Sequence, residues 1–358
     1  MTVLNIPILF DPSPEDIGPT VRDFLHSLSG PCWLVLPGRD RSRSRALATL
    51  LHGNEPSGLT AIRRFVAEGS QPAVDCHILI GAVSAAAREP VFSHRVIDGH
   101  RDLNRCFRPP YDDSEGKLAK SALDYLENLG PECLLDIHNT SGSGPEFAVT
   151  TEDIPSHRVL AQLFTHRLIV TELRMGALME IATPAMPTIT VECGGASDPQ
   201  AHEVAFDGIQ RYFMAEDVFS HADRHSIFEI FREPLRLEFL PDTRLEYGEG
   251  PPAQADLCVP SGIENYNFGT VDSHVLLAWL GDRGLECVDV RDLKGCQRRD
   301  EFFEARGGAL FAREPLRLFM ATTRSDIALS DCLFYFVREA DVIPDRDYLD
   351  MDARPSRV

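Results

Sequence analysis

A histidine and a glutamate stand three apart in Leu51-His52-Gly53-Asn54-Glu55-Pro56-Ser57-Gly58. Imidazole and carboxylate are ligand types of a catalytic zinc, which takes three protein ligands and keeps one position open. A third ligand is offered by His138, in Leu134-Leu135-Asp136-Ile137-His138-Asn139-Thr140. Glu192, in Val191-Glu192-Cys193-Gly194-Gly195, ends an otherwise apolar run. A carboxylate there is costly unless paired or solvated. Beside a metal site it can take a proton from water and hand it to a leaving amine. Arg101-Asp102-Leu103-Asn104-Arg105 supplies an anion anchor. Arg105 can clamp a carboxylate with two parallel hydrogen bonds, Asn104 can add a donor, and Asp102 can accept from the second nitrogen of a ligating histidine. Taken singly, each has a plainer account: a core histidine, a helix-capping glutamate, a charged surface loop. Two histidines at strand ends, one followed at the third position by a glutamate, weaken that account.

The surrounding pattern can bring these residues together. Leu47–Leu51 reads as a strand and Pro56–Ala67 as the helix after it, so His52 and Glu55 fall at a strand-to-helix turn, where α/β proteins bind ligands. Cys133–Ile137 is predicted as a strand delivering His138 at its end, and Thr188–Cys193 as the strand carrying Glu192. Strand alternation sends Cys193 to the face opposite Glu192, into the core. A helix over Ser13–Leu28, a polar loop over Arg39–Arg45, and helices over Glu115–Leu129 and Pro199–Phe213 complete the reading. Alternating apolar strands and helices predict an α/β sheet covered on both faces. After about residue 222, short strand-like runs such as Leu235–Leu240 and Leu316–Ala321 take over. The expected organisation is a domain over 1–222 and a smaller β-rich domain over 223–358, with a loose tail from about residue 339. Arg-Glu-Pro-Leu-Arg-Leu occurs at 232–237 and again at 313–318, as two strand entries after a proline.

Composition narrows the partners. A net charge of -20 argues against nucleic acid and anionic membrane surfaces. Nine cysteines without a C-x-x-C pattern predict reduced thiols and a cytoplasmic setting. The first ten residues lack the basic region of a signal peptide, and no apolar run approaches the roughly 18 residues that would span a bilayer. The sequence does not define an oligomeric state.

In order and spacing, His-Gly-Asn-Glu at 52–55, Asp-Leu-Asn-Arg at 102–105, Asp-Ile-His-Asn-Thr at 136–140 and Val-Glu-Cys-Gly at 191–194 resemble the aspartoacylase and succinylglutamate desuccinylase family of the zinc carboxypeptidase superfamily. The resemblance runs over the N-terminal two thirds. It implies a zinc-carboxypeptidase-like mixed sheet, followed by a β domain that leans over the site. It implies one Zn2+ per chain on His52, Glu55 and His138, with Glu192 as general acid and base, Asn104 and Arg105 on the substrate carboxylate, and Asp102 behind His52. The family's carbonyl-polarising arginine corresponds to Arg95 or Arg101. Two features depart from the family: no arginine stands in Gly176–Thr183, where aspartoacylases hold a side-chain carboxylate, and Gly81-Ala82-Val83 replaces an Asn-Pro. The chemistry is therefore better specified than the acyl-amino acid.

The expected activity is zinc-dependent hydrolysis of the amide of a small N-acyl amino acid. A carboxypeptidase acting on short peptides and a zinc-binding metabolite sensor without catalysis are the alternatives. A base at 192 argues against the sensor.

Overall fold

The computed structural model describes residues 5–220 and 227–345. Among the described residues two compact units emerge: residues 5–139 with 146–220 and 227, and residues 140–145 with 228–345.

The first unit is built on strands β1 (Ile8–Phe10), β2 (Cys32–Leu36), β3 (Asp40–Thr49), β4 (Val74–Ile80), β5 (Leu134–Thr140), β6 (Phe147–Thr150), β7 (Arg167–Val170) and β8 (Thr188–Gly195). Their spatial order is β1-β2-β4-β3-β5-β8-β6-β7. The sheet is mixed: β3 runs parallel to both β4 and β5, while β2 with β4 and β6 with β8 are antiparallel. Successive side chains of a strand point to opposite faces. On one face Ala46, Ala48 and Leu134 pack with Leu118, Ala122 and Leu126 of the helix Ser114–Leu129. On the other, Gly58 of the helix Ser57–Ala67 comes so near that an added Cβ would lie 2.1 Å from Thr49 Oγ1. Glycine is required there by close approach. That helix meets the helix Pro199–Met214 through Phe65 and Phe213, whose ring centroids are 5.0 Å apart. Helices thus cover both faces, as the sequence pattern predicts.

Three local expectations need correction. The helix over Ser13–Leu28 is two helices, Pro14–Ile17 and Val21–Ser27, broken where Gly18 takes φ 69° before Pro19. The polar loop over Arg39–Arg45 is largely the exposed first half of β3; sheet pairing overrides its charge. His138 lies within β5 and not past it, because the strand continues to Thr140.

The second unit holds two five-stranded sheets among its described residues. Leu237, Leu318, Phe334 and Phe336 of one share a buried core with Leu257, Val259, Phe303 and Leu310 of the other. Both copies of Arg-Glu-Pro-Leu-Arg-Leu enter strands, Leu235–Phe239 and Leu316–Phe319, which flank the central strand Phe334–Arg338 antiparallel to it. The polar segment after Glu339 is not wholly loose: Ile343–Asp345 pairs with Phe228–Arg232, since backbone pairing does not depend on side-chain polarity. Residues 346–358 of that tail lie outside the described residues.

Candidate active site

β3 and β5 are parallel neighbours with Thr49 level with Ile137. Leu50, at φ 55°, then turns the chain, and His52 emerges beside His138. The ring centroids of these two histidines are 5.0 Å apart. Glu55, just before the helix Ser57–Ala67, reaches both: Oε1 lies 2.8 Å from His52 Nδ1, and Oε2 lies 2.6 Å from His138 Nδ1. All three side chains are buried, and one ligand atom from each lies within 4.8 Å of the others.

The outer nitrogens are also engaged. His52 Nε2 is 2.9 Å from Asp102 Oδ1, the partner expected from sequence. His138 Nε2 is 2.9 Å from Asp136 Oδ2, a partner that sequence reasoning left without a role. Strand alternation was the available signal, because residues two apart in a strand share a face. With the outer nitrogens given to carboxylates, both Nδ1 atoms are free to serve as ligands.

Electrostatics favours a cation here. Burial would raise the Glu55 carboxyl, but the two imidazoles outweigh it and hold the group below the ordinary carboxylate range. Burial would lower His138, but Asp136 and Glu55 overcome it and hold the imidazole well above its usual value. Asp102 behaves like Glu55: burial is outweighed by His52 and then by Arg95. The carboxylates gathered here thus favour a positive charge in their midst, which a divalent ion would supply. The donor set fits a metal ion.

Glu192 is placed differently. Burial raises its carboxyl to about 7, with Glu55 adding to the rise and His138, His52 and Arg95 opposing it. Its Oε2 is buried without a hydrogen-bond partner among the described residues. Cys193, on the other face, is 2% exposed, and burial drives its thiol well above the usual range.

The two candidate arginines separate. Arg95 Nη2 lies 3.0 Å from Asp102 Oδ2 and 2.7 Å from His52 Nε2, and its Nη1 lies 3.6 Å from Glu55 Oε1. Arg101 instead pairs with Asp113, the cap of the helix Ser114–Leu129, and donates to the Pro110 carbonyl at 3.0 Å. Arg105 donates to the Asn104 carbonyl at 2.8 Å and has no other hydrogen-bond partner among the described residues. Asn104 is committed through its oxygen: Oδ1 accepts from Leu178 N at 2.8 Å, while Nδ2 lies 3.2 Å from His138 Nε2, a nitrogen already given to Asp136.

Residues 44–211 match the family model of the succinylglutamate desuccinylase/aspartoacylase catalytic domain. This stretch is similar to that catalytic domain. It contains His52, Glu55, Asp102, Arg105, His138 and Glu192. No curated protein matches the chain significantly. Among solved structures, a succinylglutamate desuccinylase/aspartoacylase from Rhodobacter sphaeroides is similar at 14% identity and TM-score 0.51, over 81% of this chain and 82% of that one. A succinylglutamate desuccinylase from Vibrio parahaemolyticus is similar at 13% identity and TM-score 0.53, over 88% and 90%. These likenesses show that the desuccinylase/aspartoacylase fold is shared. No described helix is long and apolar enough to cross a membrane.

Proposed function

We propose that this chain is a zinc-dependent amidohydrolase that removes the acyl group from a small N-acyl amino acid. The observation that carries the reading is the meeting of His52, Glu55 and His138 around one point, with a partly unpartnered Glu192 in their electrostatic field. His52, Glu55 and His138 would hold one Zn2+, which supplies a Lewis acid that acidifies water and polarises a carbonyl.

The chain's own groups do the rest. Glu192 accepts the proton of the attacking water and returns it to the departing nitrogen. Burial raises this carboxyl and a bound cation would oppose the rise, a balance that suits a group that both takes and returns a proton. Arg95, beside the ligand group, stabilises negative charge growing on the scissile oxygen. Arg105, with unspent donors, holds the free carboxylate of the amino acid. Asn104, whose oxygen is spent on Leu178 N, keeps its amide nitrogen beside His138 as a further donor for that carboxylate. No arginine stands in Gly176–Thr183, so a substrate without a second carboxylate on its side chain suits the site.

The test is metal analysis followed by a substrate panel. The expected result is one zinc per chain and release of free amino acid from N-acyl amino acids, with Arg105→Ala raising KM roughly 10- to 100-fold for want of a charged hydrogen-bond donor. Turnover of short peptides alone would replace the reading with a carboxypeptidase. Zinc without turnover of either class would leave a binding protein.

A further inference from the structure

His138 and Asn139 are consecutive in β5 and therefore point to opposite faces. His138 faces the ligand group. Asn139, 3% exposed, faces the helix Ser57–Ala67. Its Oδ1 accepts from Ser57 N at 3.1 Å, and its Nδ2 donates to Ser57 Oγ at 2.8 Å and to the Gly194 carbonyl at 2.9 Å. Only the oxygen can meet a backbone N–H and only the amide nitrogen a carbonyl, so the orientation of the carboxamide is fixed. Both amide hydrogens are used. Ser57 Oγ continues the chain to His202 Nδ1, 2.7 Å away on the helix Pro199–Met214.

The positions joined are informative. Ser57 is two residues after Glu55, Asn139 is one after His138, and Gly194 is two after Glu192. The Asn139 backbone N–H also faces Glu55 Oε2 at 3.4 Å. One buried side chain thus joins the three segments that carry two ligands and the base, from the face of the sheet opposite the chemistry.

We propose that Asn139 is a positioning residue: with Ser57 and His202 it forms a clamp that fixes Glu55, His138 and Glu192 relative to one another. The inference rests on the metal-hydrolase reading and adds to it a part that touches neither metal nor substrate. Residues behind metal ligands commonly alter metal affinity about 10- to 100-fold when removed. A residue that serves stability alone would leave affinity unchanged in the folded protein.

The experiment measures zinc affinity, by competition with a chromophoric chelator, and thermal unfolding of the same samples. Asn139→Ala is compared with Tyr212→Phe, which loses buried hydrogen bonds to the Ala46 carbonyl within β3 and the Cys133 carbonyl just before β5. Asn139→Ala should weaken zinc binding about tenfold or more, and Tyr212→Phe should lower only the melting temperature. Unchanged affinity in Asn139→Ala, or equal losses in the two variants, overturns the clamp. Should Asn139→Ala not fold, His202→Ala cuts the same chain at its half-buried end, and His202→Gln restores an acceptor for Ser57 Oγ. Weaker zinc binding in the first and recovery in the second is the expected result; equal affinity across both and wild type overturns the proposal. A wild-type chain that takes up no zinc overturns the functional reading itself, a result distinct from failure of the clamp alone.

Discussion

β3 and β5 lie side by side, and the two ends of the pair bury charge in opposite ways. At the entry end Arg45 is fully buried. Its Nε meets Glu132 at 3.1 Å, its Nη1 meets the Tyr212 and Ala215 carbonyls at 2.8 and 2.6 Å, and its Nη2 meets the Glu216 carbonyl at 3.1 Å. Each nitrogen is partnered, and the charge sits at the negative C-terminal end of the helix Pro199–Met214. At the exit end Glu192 Oε2 and Asp136 Oδ1 are buried with no hydrogen-bond partner among the described residues. A buried charge whose every atom is satisfied is scaffold. One that leaves capacity over is held ready for an incoming group, and it costs stability until that group arrives.

Replacing the base should break the comparison most visibly. Glu192→Gln keeps the shape and removes the proton acceptor, so turnover should fall roughly 10²- to 10⁴-fold while zinc stays bound. Retained hydrolysis would remove Glu192 from the chemistry. At the entry end the loss is of stability: Arg45→Met should cost about 3–5 kcal/mol in urea unfolding, with KM and zinc content of the folded protein unchanged. If zinc content fell as well, the two ends would not be independent.

The metal-free protein gives a pH test. Glu192 is raised in the folded state, so its contribution to stability is full below the unfolded carboxyl value and is lost as pH rises through about 7. His138 is raised as well, and what it contributes is lost as pH climbs through its folded value, above the usual imidazole range. Chelated protein should therefore melt at lower temperature at pH 8 than at pH 6, and zinc should remove the difference. A flat profile without metal would mean that the exit end is not under the strain described. The smallest effect belongs to Arg101→Ala, which loosens a partly exposed pair with Asp113 and should cost less than about 1 kcal/mol. Its kcat should not change. A loss of turnover there equal to that of Arg95→Ala would move the carbonyl-polarising role to Arg101.

The residue types alone exposed much of the exit end. Histidine, glutamate and histidine at predicted strand and turn positions point to a metal whatever the register, and Glu192 stood out because its neighbours are apolar. What joins them was less legible. Asp136 follows from alternation along one strand, but the partners of Asn139 depend on the neighbours of β5, and a single sequence does not state which elements are adjacent. Arg95 and Arg101 have the same chemistry, and only their partners in space, Asp102 and Glu55 for one and Asp113 for the other, separate them. The commitment of Asn104 to Leu178 N needed a segment 74 residues away. Arg45 hid in a charged stretch read as loop, because the helix end that satisfies it lies more than 160 residues downstream. Alternating strands and helices revealed the layered sheet, while short local events, such as the break at Gly18, depend on backbone angles that hydropathy does not report.

Consecutive residues of β5 serve different faces, so the strand has a parity. Removing or adding one residue within Leu134–Ile137 would exchange the imidazole and the carboxamide, placing Asn139 among the ligands and His138 against Ser57. Adding two would restore the faces but move both groups about 6.6 Å along the strand, out of reach of Glu55. Sequence change in this strand can therefore proceed by substitution but not by change of length, and related chains that retain the chemistry should align through it without a gap.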